Sequence, residues 1–329
     1  MFDSKFAAAV GLRQSKQTGA IACLIWGILT VLFFVVGLLV GEGTSWFVVV
    51  ASLLKVGAFL MSAALCWRNA SNPEIVSGRS VWQAIAVGML CHALGDTVVI
   101  LWRSLWGMTA TVALGDLFYG VSYLFLAIGL LQAVLPRQMI LSLKQTLGIS
   151  IAGVVGILFA SWISFYSPKA ISLTGTLFYE PAVETAVSSV SSLQQANSKS
   201  AAAGTVAKDK QQVPAIVETI EQRLGRLTKY SGLVYVVGDC VLVVMAAALL
   251  VAFWGGSYSQ TWRLVAMAGL CLYIADMFLI YEIGRGSYQQ GAFWEIFWVF
   301  SALFFGLSAG VEQGISEQMQ TRASRREWL

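Results

Sequence analysis

The dominant pattern along the chain is a series of long apolar runs separated by polar loops. A helix needs about 20 mostly apolar residues to cross roughly 30 Å of hydrocarbon, and eight runs reach that length. They lie at residues 20–42, 46–67, 81–103, 110–134, 146–166, 231–254, 262–283 and 291–312. Strands of a membrane barrel would show as segments of about ten residues with alternating polarity, a pattern this sequence does not have. The runs therefore predict an all-α polytopic bundle of eight transmembrane helices.

Composition supports a membrane protein and narrows the possible functions. Of the 329 residues, 57% are hydrophobic and 12% are charged, which is too apolar for a soluble domain of this size. The net charge of +4 is spread among loops, so nucleic acid is not an expected partner. The five cysteines include no CxxC pair, which argues against a disulfide framework or a metal site. Because no nucleophile–base arrangement, phosphate loop or cofactor motif is found, we expect no catalytic residue, no metal and no cofactor.

Basic residues predict the orientation. The first apolar run ends in VGEGTS, without a cleavage site, and is therefore interpreted as an uncleaved anchor. Most Lys and Arg residues fall on the side of the N-terminus, whereas the short loops opposite hold only Arg103 and Arg285. By the positive-inside rule, both termini, residues 1–19 and 313–329, are predicted to be cytoplasmic. The expected location is a bacterial plasma membrane, or the thylakoid membrane of a cyanobacterium.

One long insert, residues 167–230, interrupts the series of spans on the predicted outer side. Its centre, rich in Ser, Ala, Gln and Lys, is expected to be mobile. The flanking segments PAVETAVSSVSSL and PAIVETIEQRLGRLTKY each begin at a proline and continue with apolar residues at helical spacing. They predict a small helical hairpin standing on the fifth and sixth spans.

An internal repeat relates the two halves of the chain. SVWQAIAVGMLCHALGD aligns without gaps with QTWRLVAMAGLCLYIAD, which places Asp96 opposite Asp276. GDLFYGVSYLF aligns with WEIFWVFSALF and pairs Asp116 with Glu295. The eight spans are therefore predicted to form two four-helix repeats, and an even number of spans in each makes the repeats parallel. The repeats cover residues 20–135 and 146–312.

Ionisable residues from six spans lie at similar predicted depths. At about 1.5 Å of rise per residue, all of them fall near the outer half of a roughly 30 Å core. A charge in mid-bilayer costs about 2.5 to 3.5 kcal/mol, so these residues should face the bundle interior or an outward-facing polar cleft. His92 precedes Asp96 by one helical turn and is expected to share a proton or hydrogen bond with it. The ligand- or proton-binding candidates are Lys55, His92, Asp96, Asp116, Asp239, Asp276 and Glu295.

Structural interpretations stay open beside the functional one. The acids can be interhelical glue, with Asp96 pairing with Lys55, or a functional cleft, or a path for protons or ions. At His92 a satisfied interior histidine is expected in preference to a metal or porphyrin ligand. The second repeat has Leu272 at that place, so a bis-histidine site is not available. A ridge of small residues on the fifth span suits close helix contact, inside the bundle or between protomers of a homo-oligomer. The ridge consists of Gly148, Ala152, Gly156 and Ala160.

A recurring pattern of acids and aromatic residues carries a family resemblance. Gly-Asp or Ala-Asp occurs in successive spans, a tyrosine follows seven residues later, and a Gly-x-Tyr-x-x-Gly loop precedes an acid-Ile-x-Trp start of the last span. The matching residues are Asp116 with Tyr123, Asp239, Asp276, Gly286 to Gly291, and Glu295 to Trp298. Over residues 46–135 and 231–312 the chain resembles the multi-span input modules of bacterial diguanylate cyclases and some histidine kinases.

The resemblance implies a sensory or accessory membrane protein, in which the acidic layer binds a ligand, a proton or a partner helix. No cyclase-like or kinase-like segment is found in the sequence, so the signal is expected to pass to a separate protein partner. Two alternatives stay open: a small secondary transporter or ion-coupled permease, and an assembly or scaffold subunit of a larger membrane complex. The lipid bilayer is the other expected partner.

Overall fold

The computed structural model describes residues 18–40, 44–106, 112–134, 143–166, 213–228, 231–252 and 259–327. Within these ranges the regular structure is helical throughout. The helices are α1 (Thr18–Val40), α2 (Ser45–Ser71), α3 (Arg79–Trp106), α4 (Ala113–Val134), α5 (Leu143–Tyr166), α6 (Ala215–Thr228), α7 (Ser231–Ala252), α8 (Ser259–Arg285) and α9 (Ile296–Glu327). A short 3-10 helix over Phe293–Glu295 leads into α9.

Eight of the helices in the described ranges are long and apolar enough to cross a membrane, which confirms the predicted all-α bundle of eight spans. The exception is α6, which has 14 residues and a polar face. It is the second of the two helices predicted in the insert. The first predicted helix and the centre of the insert lie outside the described residues, as does the N-terminal segment 1–17.

The last span differs most from its prediction, because α9 continues as helix to Glu327 instead of ending near residue 312. Two bonds to the α2–α3 loop hold this extension. The amide of Ser77 donates to Glu312 Oε1 over 3.0 Å, and the amide of Val76 donates to Ser316 Oγ over 3.3 Å. The residues that follow are mostly Gln, Glu, Met, Ala and Arg, which favour helix.

Six spans pack as a ring in the order α2, α3, α4, α7, α8 and α9, and α9 closes the ring against α2. Helix α1 lies outside the ring against α2 and α9, and α5 lies outside it against α7 and α8. Where the halves meet, α4 contacts α7 and α9 contacts α2. In both contacts the fourth span of one repeat meets the second span of the other, as a pseudo-two-fold axis along the membrane normal requires.

The small-residue ridge on α5 is divided between two environments. Gly156 and Ala160 are buried against the ring, and the Tyr273 hydroxyl of α8 donates to the Gly156 carbonyl over 2.8 Å. Ala152 is half-buried, and a side chain at Gly148 would meet open space. The later half of the ridge therefore serves contact within the bundle.

Candidate functional site

The structure places the predicted ionisable residues in the interior of the ring, in the half nearer the α8–α9 loop. Asp239 is 0% exposed, Glu295 2%, Asp96 3% and Asp276 8%. Lys55 and Asp116 are half-buried. The acids therefore occupy the bundle interior, one of the two locations that the sequence allowed, and each needs a hydrogen-bond or charge partner there.

In the first repeat, Asp96 is held by a cation and an aromatic hydroxyl. Lys55 Nζ lies 3.1 Å from Asp96 Oδ1, and the Tyr119 hydroxyl donates to the same oxygen over 2.8 Å. This is the pairing that the structural interpretation of Asp96 expected. Lys55 Nζ also lies 3.9 Å from Glu295 Oε2 and 4.3 Å from the centre of the Trp298 ring. The lysine therefore joins both repeats.

The Gly-x-Tyr-x-x-Gly loop forms a cradle for Glu295. Gly286 and Gly291 have φ of 70° and 84°, a backbone conformation that glycine adopts most easily. This turn directs the Gly291 amide to Glu295 Oε1 over 3.0 Å, and the Tyr288 hydroxyl donates to the same oxygen over 3.4 Å. Burial, followed by the nearby Glu295 carboxylate, raises the pKa of Tyr288, so the hydroxyl keeps its proton and remains a donor.

In the second repeat, two carboxyl groups share one tyrosine. The Tyr123 hydroxyl of α4 lies 3.0 Å from Asp239 Oδ1 and also hydrogen-bonds Asp276 Oδ2. Trp298 Nε1 donates to Asp276 Oδ1 over 2.9 Å. A tyrosine of the first repeat thus completes the acidic pair of the second.

The contacts repeat along with the sequence. Tyr119 and Trp298 stand three residues after the aligned acids Asp116 and Glu295, and each donates to the aspartate on the preceding span of its own repeat. When the second spans of the two repeats, α2 and α7, are aligned, Lys55 stands opposite Asp239 and Met61 opposite Met245. Lys55 beside Asp96 therefore corresponds to Asp239 beside Asp276. One half therefore has a lysine–aspartate ion pair where the other half has two aspartates.

Asp116 lies at the edge of this network. The Tyr235 hydroxyl of α7 donates to Asp116 Oδ1 over 3.1 Å and lies 3.2 Å from its carbonyl oxygen. The ring of Tyr235 is 5.7 Å from that of Tyr123. Asp116 is therefore connected to the shared tyrosine through aromatic contact.

His92 is buried among aromatic rings. It stacks on Phe59 with ring centres 4.1 Å apart and lies 4.9 Å from Tyr119. Its Nδ1 has no hydrogen-bond partner among the described residues. The expectation that His92 shares a hydrogen bond with Asp96 is not supported, because the observed partners of that carboxylate are Lys55 and Tyr119. The observed contact of the imidazole is with Phe59 of α2.

A second polar feature, which the sequence analysis missed, runs along the contact between α2 and α9. Three side chains of α2 bond backbone carbonyls of α9: Ser62 to Ala302, Cys66 to Phe305 at 3.9 Å, and Asn69 to Ala309 at 2.8 Å. We call these contacts the α2–α9 seam. The seam begins near the Lys55–Glu295 pair and ends near the bond between Ser77 and Glu312.

The sequence carries a signal for the donor Tyr119 and for the α2–α9 seam, but none for the donor Tyr235. Tyr119 aligns with Trp298, the tryptophan of the acid-Ile-x-Trp motif. The polar residues of α2 recur at intervals of three, four or seven, which marks one face of a helix. These are Ser52, Lys55, Ser62, Cys66 and Asn69.

The fold and the buried network define a polytopic integral membrane protein with a charged interior layer. No cluster of three or more His, Cys, Asp or Glu side chains suited to a metal ion occurs within the described ranges. Comparisons of the chain with protein-family models, curated proteins and solved structures gave no match.

Proposed function

We propose that this integral membrane protein is of sensory or accessory type and has no enzymatic activity. In this proposal the buried polar layer binds a ligand, a proton or a partner helix from the outer side. The change in charge or hydrogen bonding then alters the contact between α2 and α9, and a separate protein reads the result at the cytoplasmic end.

The α2–α9 seam carries the proposal. From Ser62 to Asn69 the seam covers about 10 Å of α2 at roughly 1.5 Å per residue. Lys55 lies about another 10 Å along the same helix, so the Lys55–Glu295 pair and the seam together extend over most of the hydrocarbon thickness. Its bonds run from side chains of α2 to backbone carbonyls of α9. Carbonyls recur along every turn of a helix, so these donors can find new acceptors when α9 rotates or shifts by about 1–2 Å, as helices at interfaces do in switching proteins.

The resemblance to bacterial input modules supports the same proposal. Its motif residues, including Tyr123, Tyr288 and Glu295, all belong to the hydrogen-bonded layer. Helix α9 leads from that layer to the opposite end of the bundle without interruption, as far as Glu327. A change at Glu295 can therefore be transmitted along α9 to a protein that binds at the predicted cytoplasmic side.

The proposal can be tested by a distance measurement at the predicted cytoplasmic end. Spin labels on Glu74→Cys in the α2–α3 loop and Gln318→Cys in α9, both at exposed positions, report the relation of the two helices. Cys91 and Cys240, the half-buried native cysteines, are replaced first. Pulsed electron resonance then compares the parent protein with Lys55→Gln, which removes the ion pairs of α2 with Asp96 and Glu295.

We expect Lys55→Gln to shift the distance distribution between the labels. Leu60→Ala is the matched control, because Leu60 lies on the same helix but is 46% exposed on the lipid-facing surface. Glu295→Gln provides the same test from the α9 side. Identical distributions in all four proteins, each monodisperse in detergent, would exclude transmission along the seam and with it the sensory proposal.

A further inference from the structure

The hydrogen bonds around Asp239 and Asp276 need one hydrogen more than Tyr123 and Trp298 can donate. Asp276 accepts from Trp298 Nε1 on one oxygen and from the Tyr123 hydroxyl on the other. A tyrosine hydroxyl has a single hydrogen, so once it is donated to Asp276, none is left for Asp239 Oδ1, which lies 3.0 Å away. Two oxygens at that distance attract each other only when a hydrogen lies between them. A proton on Asp239 supplies it.

The surroundings of Asp239 provide a second and independent observation. The residue is 0% exposed, and its Oδ2 has no hydrogen-bond partner among the described residues. An ionised carboxylate placed this way would be buried with one oxygen unpartnered while a second carboxyl group, Asp276, shares its tyrosine, an arrangement that is very costly. The protonated form removes the charge and offers a donor to Tyr123 or Asp276.

The first repeat shows how a buried aspartate is compensated when it stays ionised. Asp96, the counterpart of Asp276, is neutralised by Lys55 at 3.1 Å. The residue of the second repeat that aligns with Lys55 is Asp239, which cannot supply a positive charge. The titratable or charged side chains that interact with the pair are Lys55 on α2, Tyr123 on α4, Tyr235 and Cys240 on α7, and Tyr273 on α8. The cation in that group, Lys55, is already shared by Asp96 and Glu295.

We propose that Asp239 and Asp276, bridged by Tyr123, form a proton-binding site that holds one proton shared between the two carboxyl groups. The bound form is a chain in which Asp239 donates to the Tyr123 oxygen, Tyr123 donates to Asp276, and Trp298 donates to the other oxygen of Asp276. Loss of the proton leaves two carboxylates against one hydroxyl and drives α7 and α8 apart. This inference rests on the proposed function and names the proton as the ligand of the polar layer.

Infrared spectroscopy of the purified full chain in lipid nanodiscs tests the site. The carbonyl stretch of a protonated carboxylic acid lies at a higher frequency than the bands of carboxylates and amides, and carbon-13 labelling of aspartate identifies the residue type. We expect the unmodified protein to show one labelled, protonated aspartic acid at neutral pH, which disappears in alkaline buffer. Asp239→Asn should abolish the band, because the amide donates to Tyr123 in place of the acid. Asp96→Asn, the matched control, should keep it.

The infrared band of the Tyr123→Phe variant gives a second test, which does not depend on whether the Asp239→Asn variant folds. Removal of the shared hydroxyl should shift the pH at which the band is lost, whereas Tyr119→Phe, which removes the hydroxyl on Asp96, should leave that pH unchanged. Absence of the band in the unmodified protein, or its persistence in Asp239→Asn, overturns the proton site.

These spectra require no signalling partner, so the two proposals can fail separately. A band that behaves as expected, together with unchanged spin-label distances, retains the proton site and rejects the sensory function. If the spin-label distances shift but the band of the protonated aspartic acid is absent, signal transmission is supported and the ligand of the polar layer is not a proton.

Discussion

Lys55 lies between carboxyl groups that come from different repeats, Asp96 on α3 and Glu295 before α9. Inside a lipid bilayer neither carboxylate has water available, so the ammonium group supplies the compensation that solvent would otherwise give. The face of the Trp298 ring, 4.3 Å from Nζ, adds a weaker attraction for the same charge. Lys55 therefore stabilises the junction between the repeats as well as one ion pair.

Replacement of Lys55 by methionine should destabilise the protein strongly. Removing one partner of a buried ion pair costs about 3–5 kcal/mol, because the remaining charge stays buried without compensation. Asp96→Asn in addition should recover a large part of this loss, since it removes the orphaned charge. Thermal unfolding in detergent of both single variants and the double variant measures the coupling. Additive effects of the two substitutions would contradict the assigned ion pair.

The sequence could predict the depth of the acids and the pairing of Asp96 with Lys55, but not the partners of Asp239 and Asp276. Depth follows from helical rise and from the alignment of Asp96 with Asp276, both of which are local properties of the chain. Partnership depends on which helices become neighbours and on their rotation. Tyr123 of the first repeat bonds Asp239 and Asp276 of the second only because α4 packs against α7, and nothing in either segment specifies that contact.

At the scale of elements, helix α6 is attached to the membrane bundle through the start of α4. Glu221 of α6 accepts hydrogen bonds from the Ala113 amide over 2.6 Å and from Trp102 Nε1 over 2.9 Å. The first amides of a helix lack partners within it, and a negative charge there is favoured by the helix dipole. The insert is thereby coupled to α4, the helix that carries Asp116 and Tyr123.

Glu221→Gln should loosen the start of α4. The amide side chain has no charge and only one accepting oxygen, so a loss of about 0.5–2 kcal/mol is expected from the cap. Hydrogen exchange at the first amides of α4 should become faster, and the melting temperature should fall. Glu218→Gln is the control on the same helix, because Glu218 is exposed. Equal effects of both substitutions would show that Glu221 does not act as a cap.

Close approach of α2 and α9 depends on Gly306. A methyl group there would lie 2.8 Å from both Cys23 Sγ and Ser62 Oγ, and both of those residues are 0% exposed. Gly306→Ala should therefore cost about 1–3 kcal/mol through overpacking. At Gly314 in the same helix a methyl group meets open space, so Gly314→Ala should be neutral or stabilise by about 0.5–1 kcal/mol. Thermal unfolding of the two variants, measured side by side, separates packing from helix propensity.

At the scale of the whole molecule, the repeat explains why the charged layer forms at the centre of the ring. The helices that carry Lys55, Asp96, Asp239 and Asp276 are the second and third spans of each repeat, and all four belong to the ring. The first spans, α1 and α5, stay outside it. Hydropathy predicts each span separately, but the division into ring and periphery arises only when both repeats pack together.

The distribution of basic residues predicts which end of this assembly faces the cytoplasm. Near the end of the bundle that holds the α2–α3 loop, the described chain places Arg68, Arg79, Lys144 and Arg263. The opposite end has fewer basic residues in its short loops, chiefly Arg103 and Arg285. The positive-inside rule therefore predicts that the α2–α3 loop faces the cytoplasm and that the Gly-x-Tyr-x-x-Gly loop faces the opposite side.

Single cysteines at exposed positions in these two loops test the orientation. In a background without Cys91 and Cys240, a membrane-impermeant maleimide applied to intact spheroplasts should label Gln289→Cys and should reach Glu74→Cys only after permeabilisation. Both positions are exposed, so a difference in labelling reports sidedness and not burial. The reverse pattern would place the Tyr288–Glu295 cradle on the cytoplasmic side, and the polar layer could then not receive a proton from outside through that loop.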